Sequence, residues 1–409
     1  MTEKLYWQDP HQTSFETTGA RTSDFQGKSA IILDRTLFYP EGGGQLGDVG
    51  SLVIGNVVAK IIDTQIDEAG LIHHVLEAPV TFDATATVKG TIDLERRLDH
   101  MAQHTGQHAL SRALADEARA ETVSARLGAT SCTIDLSRPS IYDSELHKAE
   151  DLVNAIIRSD VVVRSHFPTP DELAKMPLRR APKVSDGVRV IEIDGYDFSP
   201  CGGTHVTRSG QIGQVRIVAI EKYKGGVRVT FHAGMRALAD ARAKHAALSA
   251  AAADLTCGVL DVPAAIGKLR ENLKTTRTLL DGAREELAGL VAKTMRDALP
   301  PASERPSPIV VPVMRPHDDV TALRVLAGKL TEDARVVALA GGLDPQTGEL
   351  VLVIQRGAQG ALDCGAFLKA QATQRNGRGG GKAERAEGRF ARGTSLEALA
   401  AAAAAALQA

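Results

Sequence analysis

The chain has 409 residues, enough for two to four folding units that each bury their own hydrophobic core. Its composition of 43% hydrophobic and 24% charged residues excludes wholesale disorder and a fibrous protein. The formal net charge of −2 hides a local basic excess, because residues 371–392 contain six basic and two acidic side chains. This excess indicates an anionic partner for the C-terminal region.

The sequence contains neither a targeting pattern nor a disulfide framework. The N-terminus lacks the basic and apolar segments of a signal peptide, and no run of 18 apolar residues occurs. We therefore expect a cytoplasmic protein without membrane association. The cysteines are few and scattered, so one with a special role is expected to be a metal ligand or a nucleophile; they are Cys132, Cys201, Cys257 and Cys364.

The first part of the chain is rich in β-forming residues. Short β runs separated by Gly, Asp and Pro are typical of small barrels; they cover residues 28–33, 51–54, 56–63, 71–76 and 85–92. We predict a small β-barrel-like domain over residues 1–93. The segment FYPEGGGQLGDVG at residues 38–50 is too glycine-rich for regular structure and is predicted to be a loop, for which a tight barrel turn is the alternative.

From Leu94 the hydrophobic period becomes helical, and helices then alternate with strands as far as about residue 234. Strands are predicted at residues 130–136 and 160–167 and between residues 188 and 234, and a helix is predicted at residues 144–159. Mixed helices and antiparallel strands predict an α+β domain over residues 94–234.

A helical segment is predicted for residues 235–299, with a break near Gly258. After the break, apolar and small residues occupy two heptad positions, which fits a coiled-coil-like seam or a helical hairpin. Residues 300–308, PPASERPSP, are predicted to be a linker. Strands at residues 308–314, 335–341 and 350–355, with an alanine-rich terminal helix, predict a C-terminal α/β domain over residues 300–409.

Four potential metal ligands occur in two distant motifs. HTGQH places His104 and His108 four positions apart on one helix face, and SPCGGTH offers Cys201 and His205 about a hundred residues later. Nitrogen and sulfur donors suit one Zn²⁺ ion better than Mg²⁺ or Ca²⁺. The HxxxH motif lacks the glutamate of HExxH, which disfavours a metalloprotease.

Two interpretations of the metal site remain open at this stage. A structural zinc would have four protein ligands, whereas a catalytic zinc needs an open position. If the zinc is catalytic, His205 is our candidate for a proton-transfer group beside the metal. We favour catalysis because the two ligand pairs come from elements far apart in sequence.

These motifs resemble a known family. HTGQH, CGGTH and the upstream FYPEGGGQLGD resemble the editing domain of alanyl-tRNA synthetases and the AlaX alanyl-tRNA editing proteins, and KLYWQDP is similar to AlaX. The heptad region and the glycine-rich tail resemble the C-Ala, or DHH-associated, domain. The resemblance therefore indicates a long-form AlaX: an α+β multidomain protein with a small β-barrel, an α+β editing domain, a coiled-coil-like linker and a C-terminal α/β domain.

The resemblance implies an activity. The aminoacylation domains of the synthetases precede the editing module, and here the barrel is predicted to begin almost at Met1. We therefore expect a hydrolase acting in trans, without ATP, on tRNA(Ala) mischarged with serine and, as a second substrate, glycine. The alternative is a non-catalytic tRNA-binding protein with a structural zinc.

The resemblance also implies site residues. By this resemblance the zinc-ligand positions are His104, His108, Cys201 and His205. Thr122 is the best match for the hydroxyl-sensing threonine, with an ordinary helix-flanking or strand threonine as the alternative. Gln45 is assigned to the catalytic site with Thr122. The glycine motif, which is expected to approach the terminal ribose or phosphates, comprises Gly42, Gly43 and Gly44.

The basic tail is the predicted contact with the tRNA backbone. Guanidinium groups and flexible glycine amides suit phosphate binding, with a mobile solvated loop as the alternative; the candidates are Arg375, Arg378, Lys382 and Arg385. C-Ala or the helical seam is also expected to mediate a homodimer. A DHH phosphoesterase is disfavoured because the Asp99-His100 pair lacks supporting carboxylates.

Overall fold

The computed structural model describes residues 2–182, 187–301, 303–304 and 308–408. The chain forms two compact units, Met1–Ala250 and Ala251–Ala409. The predicted division into four domains remains a prediction. The linker predicted at residues 300–308 lies partly outside the described residues, and its function as a linker is likewise still a prediction.

The N-terminal part of the first unit is built from strands around one hydrophobic core. Its seven-stranded antiparallel sheet has the order β2-β9-β6-β7-β8-β4-β3, and β1 pairs with β5. The strands are β1 (Glu3–Lys4), β2 (Ser14–Thr17), β3 (Ala20–Phe25), β4 (Lys28–Leu33), β5 (Arg35–Thr36), β6 (Gly50–Ile54), β7 (Val57–Ile66), β8 (Ile72–Leu76) and β9 (Val88–Ile92). All five predicted β runs are therefore confirmed as strands.

The strands of this sheet form only part of the small β-barrel-like domain that the sequence predicted, because the sheet does not close in the described part of the chain. Its edge strands β2 and β3 are separated by only residues 18–19, so the sheet must curl to bring its two edges close together. Closure would require a ladder of hydrogen bonds between these edges, and none joins them in the described part of the chain. The predicted β-rich domain is therefore present as a curled sheet, and closure into a barrel is not observed among the described residues.

The rest of the first unit packs around a central helix. A four-stranded sheet has the order β10-β11-β16-β15, and a three-stranded sheet has the order β12-β13-β14. The elements are α1 (Leu94–Ala118), β10 (Thr122–Leu127), β11 (Cys132–Leu136), α2 (Asp143–Arg158), β12 (Val163–His166), α3 (Pro170–Leu173), β13 (Val190–Ile193), β14 (Asp197–Pro200), β15 (Val215–Tyr223), β16 (Gly226–Ala233) and α4 (Gly234–Asp254). The predicted mixture of helices and antiparallel strands is confirmed.

Helix α1 begins at a capped end and is buried over most of its surface. The Asp93 side chain accepts a hydrogen bond from the backbone N–H of Arg96, and the helix ends before Arg119, which adopts a positive φ of 48°. Within the helix, a Cβ on Gly106 would come within 3.2–3.3 Å of apolar side chains. Glycine therefore allows α1 to approach its neighbours closely between the two predicted ligand positions.

The second unit has a five-stranded mixed sheet with helices on both faces. The sheet order is β17-β18-β19-β21-β20, and only β17 and β18 are parallel. Alternate residues of β18 belong to two separate hydrophobic clusters, one with α5 and α6 and the other with α7 and α8. The elements are α5 (Val262–Asp297), β17 (Ile309–Met314), α6 (Val320–Leu330), β18 (Val336–Leu343), β19 (Leu350–Arg356), α7 (Cys364–Gln374), β20 (Arg378–Gly381), β21 (Arg385–Phe390) and α8 (Leu396–Ala406).

The glycine-rich tail is structured. Residues 378–381 and 385–390 form the hairpin of β20 and β21 at one edge of this sheet, so the alternative of a loop is wrong for these residues. Glycines permit this pairing because a Cβ on Gly379 or Gly381 would lie 2.4 Å from backbone oxygen or carbon atoms of β21. The close approach of two backbones thus explains the glycine run.

The heptad leucines of α5 face solvent. The side chains of Leu269, Leu273 and Leu290 are 56–68% exposed, whereas the buried side of the helix uses Ala288 and Ala292. Such an apolar stripe fits a helical partner. Dimerisation through it stays a prediction.

No single helix among the described residues is both long and apolar enough to span a membrane. The bent pair Gly234–Asp254 and Val259–Asp297 meets the criteria of length and composition only when the two helices are taken together.

Candidate metal centre

The four predicted ligands converge at one point in the first unit. His104 and His108 lie one turn apart on α1, and Cys201 and His205 flank the loop that follows β14. One potential ligand atom from each side chain lies within 4.8 Å of the others. The Sγ atom of Cys201 is 3.3 Å from Nε2 of His104 and 3.3 Å from Nε2 of His205. The fold therefore brings together motifs that are about a hundred residues apart in the sequence.

The donor set and its spacing fit a tetrahedral metal ion. With Zn–S of about 2.3 Å and Zn–N of about 2.0 Å, tetrahedral coordination separates sulfur from nitrogen by about 3.5 Å. The observed separations of 3.3 Å are close to that value. Three imidazoles and one thiol form a set of intermediate softness, which Zn²⁺ prefers over Mg²⁺ or Ca²⁺. These side chains could hold one metal ion.

Burial keeps the imidazoles in the neutral form that a metal requires. Desolvation lowers the pKa of His104 and His205 well below the usual range and lowers the pKa of His108 to about 3. Burial also raises the pKa of the Cys201 thiol, although the Gly203 N–H and the Arg189 guanidinium act in the opposite direction. At neutral pH the histidines thus present lone pairs without competition from protons.

Gln45 sets the tautomer of His104. Its Oε1 atom accepts a hydrogen bond from the backbone N–H of Thr204, so this atom is the amide oxygen. The same oxygen lies 2.7 Å from Nδ1 of His104, and a carbonyl oxygen can only accept. Nδ1 of His104 therefore carries the proton, and Nε2 presents its lone pair towards Cys201.

The other two histidines also have polar neighbours. Nδ1 of His205 is 3.1 Å from the Thr105 hydroxyl oxygen, which leaves Nε2 of His205 facing the sulfur. Nδ1 of His108 is 3.7 Å from Oδ2 of Asp197 and has no hydrogen-bond partner among the described residues. The buried carboxylate of Asp197 is held by Arg179 and Ser199. A carboxylate beside an imidazole is a common arrangement around bound zinc.

The loop between Cys201 and His205 is fixed through its carbonyl groups. Arg189 donates hydrogen bonds to the carbonyl oxygens of Cys201 and Gly203, at 3.1 and 2.7 Å. The indole N–H of Trp7 donates to the carbonyl oxygen of Gly202, at 2.8 Å. The bend of this loop therefore depends on side chains from two other parts of the first unit.

A cavity of about 710 Å³ opens beside three of the four ligands. His104, His108 and Cys201 line it, whereas His205 is not among the lining residues. Other parts of its walls include residues 39–44, 123–125, 179–182 and 187–189, together with Lys4 and Trp7. A small substrate could therefore reach the metal position from one side.

The predicted glycine loop forms one wall of this cavity. Gly42, Gly43 and Gly44 all line it, and Gly43 and Gly44 have positive φ angles of 60° and 90°. A Cβ on Gly44 would lie 2.7 Å from the carbonyl oxygen of Ala125, and the Gly44 carbonyl accepts a hydrogen bond from the Leu127 N–H. The loop predicted at residues 38–50 is confirmed, and β10 supports it.

Gln45 and Thr122 occupy different surroundings from the glycines. Gln45 is fully buried, and its amide contacts His104 and Thr204 rather than the cavity. Thr122 begins β10 and is 7% exposed, and its hydroxyl has no hydrogen-bond partner in the described chain. The three residues after Thr122 line the cavity, but Thr122 itself does not. Gln45 thus contacts His104 rather than the cavity, and the catalytic roles of Gln45 and Thr122 stay predictions.

The predicted tRNA-binding side chains are on the surface of the second unit. Arg378 and Arg385 are 76% and 54% exposed on β20 and β21, and each lies within 4.0 Å of a glutamate oxygen. Arg375 donates to Gln371, and Lys382 lies in the turn between the two strands with no ion pair recorded among the described residues. Their function stays a prediction.

Asp99, the residue considered above for a DHH phosphoesterase, has a structural role. Asp99, the acidic member of the Asp99-His100 pair, is engaged by the Arg236 guanidinium at 3.0 Å and also accepts from the Gln103 amide. This carboxylate therefore ties α1 to α4 within the first unit.

Sequence reasoning missed the residues that orient the ligands. Asp197 and Ser199 alternate on β14 just before Cys201, a spacing that places both on one face of the strand. That alternation was a usable signal. Arg189, Trp7 and Thr204 act through contacts to backbone or amide groups, for which no sequence spacing exists.

Two segments of the chain match known protein families. Residues 13–96 match the family described as tRNA synthetases class II (A). Residues 188–230 match the family described as threonyl and alanyl tRNA synthetase second additional domain. The second match contains Cys201 and His205.

Curated relatives match most of this chain. An alanine–tRNA ligase of Korarchaeum cryptofilum is 30% identical over 93% of this chain and 42% of its own length. Those of Pyrococcus furiosus and Halorubrum lacusprofundi are each 29% identical, over 95% and 84% of this chain and 42% and 37% of their own lengths. The chain thus spans about two fifths of the length of these relatives.

A solved structure, the C-Ala domain from Aquifex aeolicus alanyl-tRNA synthetase, resembles 24% of this chain and is itself covered to 87%. The sequence identity is 16% and the TM-score is 0.21.

Proposed function

The chain is related to alanyl-tRNA synthetases over most of its length, and from this premise we propose that it is a trans-editing hydrolase of mischarged tRNA(Ala). Its main substrate would be seryl-tRNA(Ala), with glycyl-tRNA(Ala) as a second substrate. The observation that carries the proposal is the convergence of four nitrogen and sulfur donors beside a cavity lined by a glycine loop. An ester at the 3′ end of a tRNA is small enough to enter that cavity.

We propose zinc as the metal, held by His104, His108, Cys201 and His205. When bound, zinc supplies Lewis acidity for an ester carbonyl or for a water molecule. Gln45 keeps the Nε2 lone pair of His104 available, and Asp197 provides negative charge beside His108. The ester is intrinsically labile, so accurate placement provides a large part of the acceleration.

Backbone groups of the glycine loop would orient the terminal nucleotide. Gly42, Gly43 and Gly44 have no side chains to block approach, and two of them adopt left-handed backbone conformations. Thr122 directly precedes the cavity-lining residues 123–125, and we propose that its hydroxyl, which has no partner among the described residues, becomes accessible to the substrate and distinguishes serine from alanine. Leaving such a group unpaired costs about 1–3 kcal/mol, which corresponds to roughly tenfold to a few hundredfold discrimination.

The competing function is a non-catalytic tRNA-binding protein with a structural zinc. One observation favours it: four protein donors within 4.8 Å could complete a tetrahedral shell and leave no open position. Against it, the cavity reaches three of the four donors, whereas closed structural sites need no such access. Catalytic assays separate the two functions directly.

We expect the zinc-loaded chain to deacylate seryl-tRNA(Ala) in single-turnover reactions and to leave alanyl-tRNA(Ala) intact. Cys201→Ala removes the only sulfur donor of the cluster and should lower both zinc content and the deacylation rate, the latter by at least about 100-fold. Cys257→Ala, which changes a free cysteine outside the cluster, is the matched control. Intact seryl-tRNA(Ala) after reaction with zinc-loaded wild-type protein would refute the hydrolase.

In the same single-turnover deacylation assay, Thr122→Val should reduce the ratio of the deacylation rate of seryl-tRNA(Ala) to that of alanyl-tRNA(Ala).

We also propose that the β20–β21 hairpin contacts the tRNA backbone. Lys382 lies at the turn of this hairpin, so Lys382→Ala should weaken tRNA binding and reduce the salt slope of log K by about 0.7–0.9 for one lost phosphate contact. Lys274→Ala, on exposed α5, removes the same charge from the same unit and is the control. Filter binding across a range of salt concentrations measures both slopes. Equal slopes for wild type and Lys382→Ala would remove the hairpin from the interface.

A further inference from the structure

A second cavity lies next to the cavity that contains the metal ligands. Its volume is about 430 Å³, and it is lined by Thr2, Lys4, Trp7, Gln8 and Phe167. Lys4 and Trp7 line both cavities, so the two spaces share one wall. A chain-like ligand with its end at the metal would place its preceding unit in the second cavity.

The second cavity presents an aromatic surface with an exposed ring. Phe167 is 59% exposed, and its ring centroid lies 5.9 Å from that of Trp7 with an angle of 53° between the planes. Trp7 is held in place because its indole N–H donates to Gly202 and its ring packs edge-to-face on Tyr6. A rigid tryptophan beside an exposed phenylalanine is a surface on which a planar base can stack.

The charge beside this surface is positive and available. The Lys4 ammonium lies 4.3 Å from the centroid of the Trp7 ring, and no ion pair or side-chain hydrogen bond engages it among the described residues. The Arg189 guanidinium lies 5.7 Å from the same centroid. Aromatic rings interleaved with cations bind single-stranded nucleic acid, because the rings stack on bases and the cations pair with phosphates. An apolar peptide could pack on the rings, but it would provide no negative charge to pair with Lys4.

We propose that the second cavity binds the penultimate nucleotide of the aminoacylated strand, with its base stacked on the exposed ring of Phe167 beside Trp7 and the phosphate between the last two nucleotides paired with Lys4. This inference rests on the proposed function, because it takes the terminal nucleotide to occupy the cavity beside the metal ligands. Lys4 is suited to the linking phosphate because it lines both cavities. The base stack would align the strand before the ester reaches the metal position.

Trp7 allows a direct binding test, since it is the one tryptophan in the chain. Intrinsic fluorescence of the zinc-loaded full chain would be titrated with cytidylyl-adenosine and with adenosine 5′-monophosphate. These probes share the adenosine and its 5′ phosphate and differ by one nucleoside. We expect quenching by both and about tenfold tighter binding of the dinucleotide, as stacking of one base provides.

Substitutions test whether the difference in affinity between the dinucleotide and the mononucleotide arises in the second cavity. Phe167→Ala should reduce dinucleotide affinity to that of the mononucleotide and leave mononucleotide affinity unchanged. Lys4→Gln should weaken both probes and lower the salt dependence of their binding. Tyr142→Ala removes another exposed aromatic ring, which is not among the residues lining either cavity, and should change neither affinity.

Two results would overturn this inference. One is equal affinity of the two probes for wild-type protein, or no quenching by the dinucleotide up to millimolar concentration. The other is a dinucleotide advantage that survives Phe167→Ala. Neither measurement requires hydrolysis, so dinucleotide binding with inactive protein would refute the proposed hydrolase alone, and hydrolysis without a dinucleotide advantage would refute the penultimate-nucleotide site alone.

Discussion

Gly203→Ala is expected to abolish tight metal binding, with an affinity loss of at least about 100-fold and a comparable loss of deacylation. A Cβ at this position would lie 2.2 Å from Cε1 and 2.5 Å from Nδ1 of His104, and 2.9 Å from Oε1 of Gln45. The His104 ring is buried on α1 and cannot move away without breaking its bond to Gln45. The methyl group therefore displaces a ligand, although position 203 itself binds no metal.

The neighbouring glycine provides the matched control. A Cβ on Gly202 meets only Trp7 Cζ2, at 4.0 Å, which is an ordinary van der Waals distance. Gly202→Ala should therefore keep one zinc per chain, measured by atomic emission, and a normal Co²⁺ absorption spectrum. Circular dichroism establishes that both variants fold. Equal metal affinity of the two variants would contradict the described packing of the loop against His104.

Asp48→Ala is expected to lower the free energy of unfolding of the first unit by about 3–5 kcal/mol. Asp48 ends the GGGQLGD motif, and its carboxylate accepts hydrogen bonds from Arg97, whose side chain is fully buried in the first turn of α1. The same carboxylate accepts from the backbone N–H of Tyr39 at 2.6 Å. Removing it would leave a guanidinium charge in the core without its carboxylate partner.

Denaturant titration followed by the fluorescence of Trp7 measures this loss within the first unit, which contains the one tryptophan. Glu77→Ala breaks the exposed pair with Lys60 and should cost less than about 1 kcal/mol. The double variant Asp48→Ala/Arg97→Met should recover part of the loss, because it removes the uncompensated charge. A loss for Asp48→Ala no larger than that for Glu77→Ala would be inconsistent with the buried ion pair.

Three positions of the glycine motif have distinct structural roles. Gly44 allows the loop to approach β10, Gln45 orients a metal ligand, and Asp48 anchors the helix that carries this ligand. Arg97 is seven residues before His104, so the anchor lies about two helical turns from the metal position. The motif therefore supports both the cavity wall and the position of α1.

The elements were largely predictable because their signals are local. Period-two and helical patterns identified the main strands and α1, and the predicted alanine-rich terminal helix is present as α8. Whether the barrel-like sheet closes could not be predicted, because closure depends on whether β2 and β3 pair, and no local pattern records the partners of an edge strand. The tail hairpin was missed because glycine residues favour turns in a local analysis, although here they allow two backbones to approach.

The sequence by itself determined which four side chains are candidate donors, since HxxxH spacing places two histidines on one helix face and CGGTH adds a thiol and a third imidazole. Only the tertiary structure decided that Cys201 meets His104, that Gln45 is buried beside that histidine, and that Trp7 and Phe167 line a second cavity. The physical reason is the separation along the sequence over which each kind of interaction acts. Helix and strand periodicity act over a few residues, whereas contacts such as the hydrogen bond from Trp7 to Gly202 join segments 195 residues apart and exist only after the core has packed.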